Sequence, residues 1–340
     1  MKKVLLIKLS SLGDVVFNIP LANTLKANGY EVHWLTTEKG IDIIEGNPCS
    51  DKTFFLPLYT WRKKFKLRYI FDFIKLIFSL RKEKYDIAFD CQRRLKSLPF
   101  MLLCGAKRRI ISHYSTEGAR FGANEVMPEE TEILHMVNLN LLYAKYLGLD
   151  ATEIKMSLPE QPQEVKDEVS NLLSDVDKSK PLLILAPATT WPAKHWAVKN
   201  WKDLYYSLQD KYSIVFTGME QDKELINKIG DGEQISLAGK TKLCHLIELF
   251  SRADLVIAPD SGSAHLAWAS GKPNLIEIFC CTGTNFFGCF GNPKKYFTVQ
   301  DNLPCQPCNK RKCRFDSDEC TKFPPADEVI KIAENLLKQE

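Results

Sequence analysis

Short apolar runs alternate with amphipathic stretches along most of the chain. Lys3-Val-Leu-Leu-Ile-Lys-Leu9 predicts a strand, Ser10 to Asp14 a turn, and Val15 to Asn28 a helix closed by Gly29. Glu31 to Thr36 predicts the next strand. A strand–helix–strand unit of about 30 residues opens a parallel, doubly wound sheet. Tyr85 to Asp90 predicts a further strand and His135 to Gly148 a helix. Residues 150–180, rich in Glu, Asp, Gln, Ser and Pro, read as a linker with one short helix near Gln163 to Leu173. The pattern then restarts. Strands are predicted at 181–186, 212–217, 234–238 and 255–258, with helices at 196–210, 222–229 and 241–252 between them. The last strand stops at Asp260-Ser-Gly-Ser263, and Ala264 to Ser270 reads as a helix ending at Gly271. Ala326 to Lys338 predicts a final helix.

The expected fold class is α/β, two doubly wound domains with their strand carboxyl ends toward a shared site. The 340-residue length agrees, since one core rarely grows that large. The boundaries expected are 1–160 for the first domain and 161–323 for the second, with 324–340 as a helix returning to the first.

Composition excludes more than it assigns. With 45% hydrophobic and 26% charged residues this is an ordinary globular chain. The apolar run at the start is too short for a signal-peptide core, and no run approaches membrane-spanning length, so a cytosolic protein is expected. The glycine fingerprint of dinucleotide-binding folds and the Walker A loop are both absent. The net charge of +4 hides a basic region: residues 52–120 hold 17 Lys/Arg against 5 Asp/Glu. An acidic partner is one reading of it and a solvated face the other. No nucleic-acid motif accompanies it, so no nucleic-acid partner is expected. Within it, Trp61 to Lys84 is basic and aromatic, suited either to a membrane interface or to covering the sheet.

Three loops of the second half carry candidate chemistry. Thr189, Thr190 and Lys194 follow a strand and precede a helix, so two hydroxyls, an ammonium and helix N–H groups suit a diphosphate. Glu220, after the next strand, can hold ribose hydroxyls or be a solvated first-turn acid. Asp260, Ser261, Gly262 and His265 form a strand–turn–helix start, a natural anion site, although Asp260 alone would serve as an N-cap. Near the start, Ser11-Leu-Gly-Asp14 is also a capping-box pattern.

Lys8-Leu-Ser-Ser-Leu-Gly-Asp14, the Thr-Thr…Lys-His-Trp loop, the Gly-x-Glu turn and Asp-Ser-Gly-x-x-His-Leu resemble, in this order, the ADP-heptose:lipopolysaccharide heptosyltransferases of glycosyltransferase family 9. The resemblance runs from Lys3 to about Leu337. It implies the GT-B fold, two Rossmann-like domains facing across a cleft. It also implies an inverting transfer of heptose from ADP-heptose to an inner-core acceptor, with no cofactor required for catalysis. Asp14 would be the general base. Thr189, Thr190 and Lys194 would meet the donor diphosphate and Glu220 the ribose. Asp260 would meet the sugar, and Ser261, Gly262 and His265 the diphosphate; Ser261 stands where members commonly carry Thr. The acceptor, an anionic lipid-linked oligosaccharide at the inner face of the inner membrane, would meet Ser11, Gly13, Lys63, Lys64, Arg93, Arg94, Lys96 and Arg120. Rival readings are transfer of another sugar such as N-acetylglucosamine or a hexose, transfer to protein, or a binding module without activity. Cys305, Cys308, Cys313 and Cys320 open with a metal-ligand spacing and are candidates for a structural Zn or Fe site.

Overall fold

The computed structural model describes residues 1–338 except 65, 133, 316 and 318. It divides into two compact units, Met1–Glu160 and Gln161–Glu340. Each is built on one six-stranded parallel sheet.

In the first unit the strands are β1 (Lys3–Ile7), β2 (Glu31–Thr37), β3 (Lys52–Leu56), β4 (Ile87–Asp90), β5 (Arg108–Ile111) and β6 (Glu125–Val126), in the order β3-β2-β1-β4-β5-β6. In the second they are β7 (Leu182–Leu185), β8 (Ser213–Phe216), β9 (Ile235–Ser236), β10 (Leu255–Pro259), β11 (Asn274–Phe279) and β12 (Tyr296–Gln300), in the order β12-β11-β10-β7-β8-β9. The central strands are buried on both faces, which is why they read as unbroken apolar runs rather than alternating ones. In each sheet the order reverses beside the first strand, between β1 and β4 and between β7 and β10. Loops leaving adjacent strands part there to opposite faces and open a crevice at the carboxyl ends.

The expected helix Val15–Asn28 is instead two helices, Leu12–Val16 and Ile19–Ala27. Pro20 explains the break: it has no N–H to continue a helix but suits the first turn of a new one. The Asn18 side chain donates to the Asp14 carbonyl at 2.7 Å across the junction. Residues 61–84 likewise divide, into the end of Leu58–Lys63 and the helix Arg68–Lys82; Phe65 lies outside the described residues.

The final helix is Ala326–Leu337. It buries Ala326, Val329, Ala333 and Leu336 in the second unit's core with Trp201, Leu204 and Ile276. Trp196 Nε1 donates to the Pro324 carbonyl at 2.7 Å, and Lys211 pairs with Glu334 at 2.5 Å. Its apolar stripe matches this sheet's own face. Among the described residues no helix is long and apolar enough to cross a membrane.

Candidate active site

The first unit's polar cluster is assembled at its strand reversal. The turn after β1 leads straight into Leu12–Val16, placing Asp14 in that helix's first turn. Asp14 Oδ2 accepts from Ser11 N at 2.9 Å and from Ser11 Oγ at 2.8 Å. Lys8 Nζ lies 3.5 Å from Asp14 Oδ1 and donates to the Cys91 carbonyl at 3.1 Å. Burial alone would raise the Asp14 carboxyl; the Lys8 ammonium and the Ser11 donors overcome it and hold Asp14 at about 2. Burial pulls the Lys8 ammonium down, and Asp14 opposes that. Asp14 keeps a third of its side chain exposed, whereas Lys8 is enclosed. The result is a carboxylate anchored on one side and open on the other.

The loop after β4 supports this turn. Gln92 Oε1 accepts from Leu9 N and Ser10 N, both at 2.9 Å. Asp90 accepts from Gln92 N, Arg93 N and Ser97 Oγ at 3.0, 2.8 and 2.8 Å, which shapes the loop. Arg93 has a left-handed backbone (φ 60°), and Lys96 Nζ donates to Ser10 Oγ. The charges of Arg93 and Lys96 are both felt at Asp14. Ser11 and Gly13 flank Asp14 on the same turn. The other candidates are less gathered. Lys63 and Lys64 are exposed at the end of the helix Leu58–Lys63. Arg94 pairs with Glu117 at 3.4 Å, and Arg120 binds Ser115 Oγ at 3.1 Å and the His113 carbonyl.

In the second unit the reversal holds a denser charge cluster. The loop after β7 carries Lys194 and the loop after β10 carries Asp260, 2.6 Å apart between Nζ and Oδ2. Thr282 Oγ1 donates to the same oxygen at 2.5 Å. On the other side His265 Nε2 lies 3.3 Å from Asp260 Oδ1 and His265 Nδ1 lies 3.4 Å from Glu277 Oε1. Asp260 and Glu277 are almost completely buried. Burial raises Asp260, but His265 and Lys194 outweigh it and depress its carboxyl far below the usual range. Burial lowers His265, but the hydrogen bond to Asp260 and the charge of Glu277 leave it raised. Burial pushes Glu277 up to about 7, opposed by His265. Lys194 also sits 5.0 Å over the Trp191 ring.

The loop after β10 starts the helix Gly262–Ser270, with Ser261 as N-cap accepting from Ala264 N at 3.5 Å. The structure corrects the capping alternative: Ser261, not Asp260, caps the helix, which frees Asp260 to face Lys194 and His265. The helix N-terminus opens beside them, as an anion site requires. Thr189 gives its carbonyl to His195 Nε2 at 2.8 Å, and Thr190 is exposed. Glu220 stands at the carboxyl end of β8, next to β7 in the sheet, exposed and paired with Lys223 at 2.7 Å. Gly239, with φ +74°, lies against it; a Cβ there would come within 2.1 Å of Glu220 Oε2.

Sequence reasoning missed Glu277, Thr282 and Cys281. Glu277 had a signal: a single carboxylate within the buried run Asn274-Leu-Ile-Glu-Ile-Phe279 needs a partner. Cys281 joins Cys305, Cys308, Cys313 and Cys320 around one cavity of about 30 Å³. Burial pushes the Cys281 thiol up to about 12, with the charge of Cys308 adding to it. Thiolates are zinc and iron ligands by chemistry, but among the described residues no three of these sulfurs lie close enough together to share one ion.

Two Rossmann-like units, each with its polar loops at the strand reversal, have the fold of the GT-B glycosyltransferases. The model of glycosyltransferase family 9 (heptosyltransferase) matches residues 73–318. The chain belongs to that family. It is 25% identical to lipopolysaccharide heptosyltransferase 1 of Pseudomonas aeruginosa over 331 residues, 93% of this chain and 89% of that one. Its fold is similar to that of a family 9 glycosyltransferase from Veillonella parvula, with TM-score 0.82, 18% identity and coverage of 100% and 98%. It is also similar to the E. coli heptosyltransferase WaaC with ADP, with TM-score 0.76, 19% identity and coverage of 98% and 99%.

Proposed function

We propose that this protein transfers a heptose from ADP-heptose to an inner-core lipopolysaccharide acceptor, inverting the anomeric carbon. The observation that carries the reading is the Lys194–Asp260–His265 cluster, within the residues the family model matches and at the reversal of the second sheet. Asp14 takes the proton of the acceptor hydroxyl. The oxygen attacks the anomeric carbon, the bond to the diphosphate oxygen breaks, and ADP leaves with that electron pair. One displacement needs one base and a stabilised leaving group.

Lys194, Thr189 and Thr190 meet the diphosphate with the N-terminus of the helix Gly262–Ser270, through Ser261, Gly262 and His265. Lys194, and His265 whose pKa is raised by Asp260 and Glu277, supply positive charge from the chain itself, which is the basis for a metal-independent chemical step. Asp260 meets the donor sugar and Glu220 the ribose. Ser11, Gly13, Arg93 and Lys96 face the acceptor, with Lys63, Lys64, Arg94 and Arg120 as outer cations for its phosphates or carboxylates. The enzyme works in the cytoplasm at the inner face of the inner membrane, where a lipid-linked acceptor is presented. Cys305, Cys308, Cys313 and Cys320, with Cys281, are the thiols that a structural zinc or iron would have to draw together.

Thermal shift with ADP-heptose, UDP-sugars and GDP-sugars tests the donor assignment. A donor that binds only the folded chain raises its melting temperature by several degrees at about 100 times its Kd. ADP-heptose is expected to give the largest shift; a larger one from a UDP- or GDP-sugar overturns the donor.

A further inference from the structure

The helix Arg68–Lys82 carries two apolar stripes. One is buried: Tyr69, Ile77 and Leu80 join the first unit's core, and Phe73 packs edge-on against Phe100 at 5.5 Å. The other is open. Leu67, just before the helix, and Ile70, Phe71, Ile74 and Phe78 are all exposed, Phe71 to 65% and Phe78 to 68%. At roughly 100° per residue these five positions fall within an arc of about 100°, a continuous stripe rather than scattered residues. Leu102 and Leu103, at the end of the neighbouring helix Leu98–Leu103, are exposed too, with the Leu103 carbonyl accepting from Arg81 at 3.4 Å. Phe121, also exposed, follows on the turn packed against that helix. A soluble surface seldom leaves so many large apolar groups together without use.

Charge identifies what covers them. Between residues 62 and 82 there are eight Lys/Arg and one acid, Asp72. Arg68, Lys75 and Lys82 line one flank of the exposed stripe, and Arg81 stands in line with it at the helix's carboxyl end. None of these four makes an ion pair among the described residues, whereas many other basic side chains of the chain do. An apolar stripe bordered by unpaired cations, on a helix about 22 Å long, is the form of an element lying in the plane of an anionic lipid interface. Both helices also begin beside the carboxyl edge of the first sheet, where Asp14 and Lys96 stand. A bilayer against this face therefore meets the end of the unit that receives the acceptor.

We infer that the exposed face of Arg68–Lys82, with Leu102, Leu103 and Phe121, is the surface by which this protein docks on an anionic phospholipid membrane. Its purpose rests on the lipid-linked acceptor proposed above; the surface itself does not. The apolar stripe inserts at the headgroup level while the flanking cations meet lipid phosphates.

Co-sedimentation with phosphatidylethanolamine vesicles containing phosphatidylglycerol, and with neutral phosphatidylcholine vesicles, tests it. The wild-type chain is expected to bind the anionic vesicles at about 0.1 M salt and to release as salt rises, as screened charges do. Phe71→Ser with Phe78→Ser is expected to weaken binding at least about tenfold. Both side chains are exposed, so the fold should persist, and an unchanged melting curve checks this. Lys75→Glu with Lys82→Glu weakens binding without touching the apolar stripe. Transfer to a delipidated, soluble acceptor stays at the wild-type rate in both variants. The inference is overturned if both variants bind like wild type, or if wild type stays in solution at low salt. It is also overturned if the wild-type chain is a dimer that the phenylalanine variant makes monomeric while vesicle binding is unchanged, which assigns the face to a second copy. The vesicles contain neither donor nor acceptor. Vesicle binding without any heptose transfer thus defeats the sugar-transfer reading alone, and transfer without vesicle binding defeats this surface alone.

Discussion

Asp14 shows how one side chain can complete a cap and keep a free face. Its Oδ2 accepts two Ser11 donors while Oδ1 faces Lys8, so the capping geometry fixes the carboxylate rather than consuming it. Asp14→Ala is expected to lower transfer by about 10² to 10⁴, the usual contribution of a general base. Donor affinity, measured by calorimetry, should stay unchanged. Because Asp14 is held at about 2, it remains ionised as pH falls from 8 to 5, and no acidic limb of kcat/KM in that range should belong to it. Lys194→Ala removes a charge-assisted contact and should weaken donor binding by about tenfold to a hundredfold.

His265 carries a different pH signature. Its pKa is raised, so it is protonated below that value and loses its charge as pH rises through it. Donor affinity should fall on that alkaline side. The ionisable groups facing it are Asp260, Glu277 and Lys194. Glu277→Gln keeps the shape but removes one of the two anions that raise His265. The fall in donor affinity, followed by calorimetry across pH 6 to 9, is then expected to begin at lower pH. An unmoved profile would mean that Glu277 only fills space.

At the scale of the element, the polar loops follow β1 and β4 in one sheet and β7, β8 and β10 in the other, all at carboxyl ends. These turns were legible because Gly, Asp and Ser interrupt apolar runs there. The strands β3, β5, β6, β11 and β12 were not: β3, β5, β6 and β12 mix charged or polar positions with apolar ones, and Glu277 interrupts the apolar run of β11. The cysteine cavity was legible only in part. Spacing exposed Cys305 and Cys308, but Cys281 arrives from the end of β11, a contact no local pattern encodes. Gly239→Ala tests how loops support each other. A Cβ at φ +74° would be strained by about 1 kcal/mol and would push Glu220 aside. Donor KM should rise severalfold with kcat nearly unchanged.

At the scale of the molecule, the repetition of the α/β pattern on either side of residues 150–180 made two units readable, and the structure divides after Glu160. The last helix was legible as an amphipathic stripe, but such a stripe does not name its partner; the structure packs it against Trp201 and Leu204. Elemental analysis of the purified chain is expected to find about one zinc or iron per molecule, lost in Cys305→Ser with Cys308→Ser while Asp14-dependent transfer is retained in proportion to folded protein.

The most direct test is the mass of a truncated inner-core acceptor after incubation with the purified chain and ADP-heptose. The expected result is an acceptor heavier by one heptose residue with wild type and unchanged with Asp14→Ala. An acceptor left unmodified by wild type with ADP-heptose, yet extended from a UDP- or GDP-sugar, would contradict the assignment.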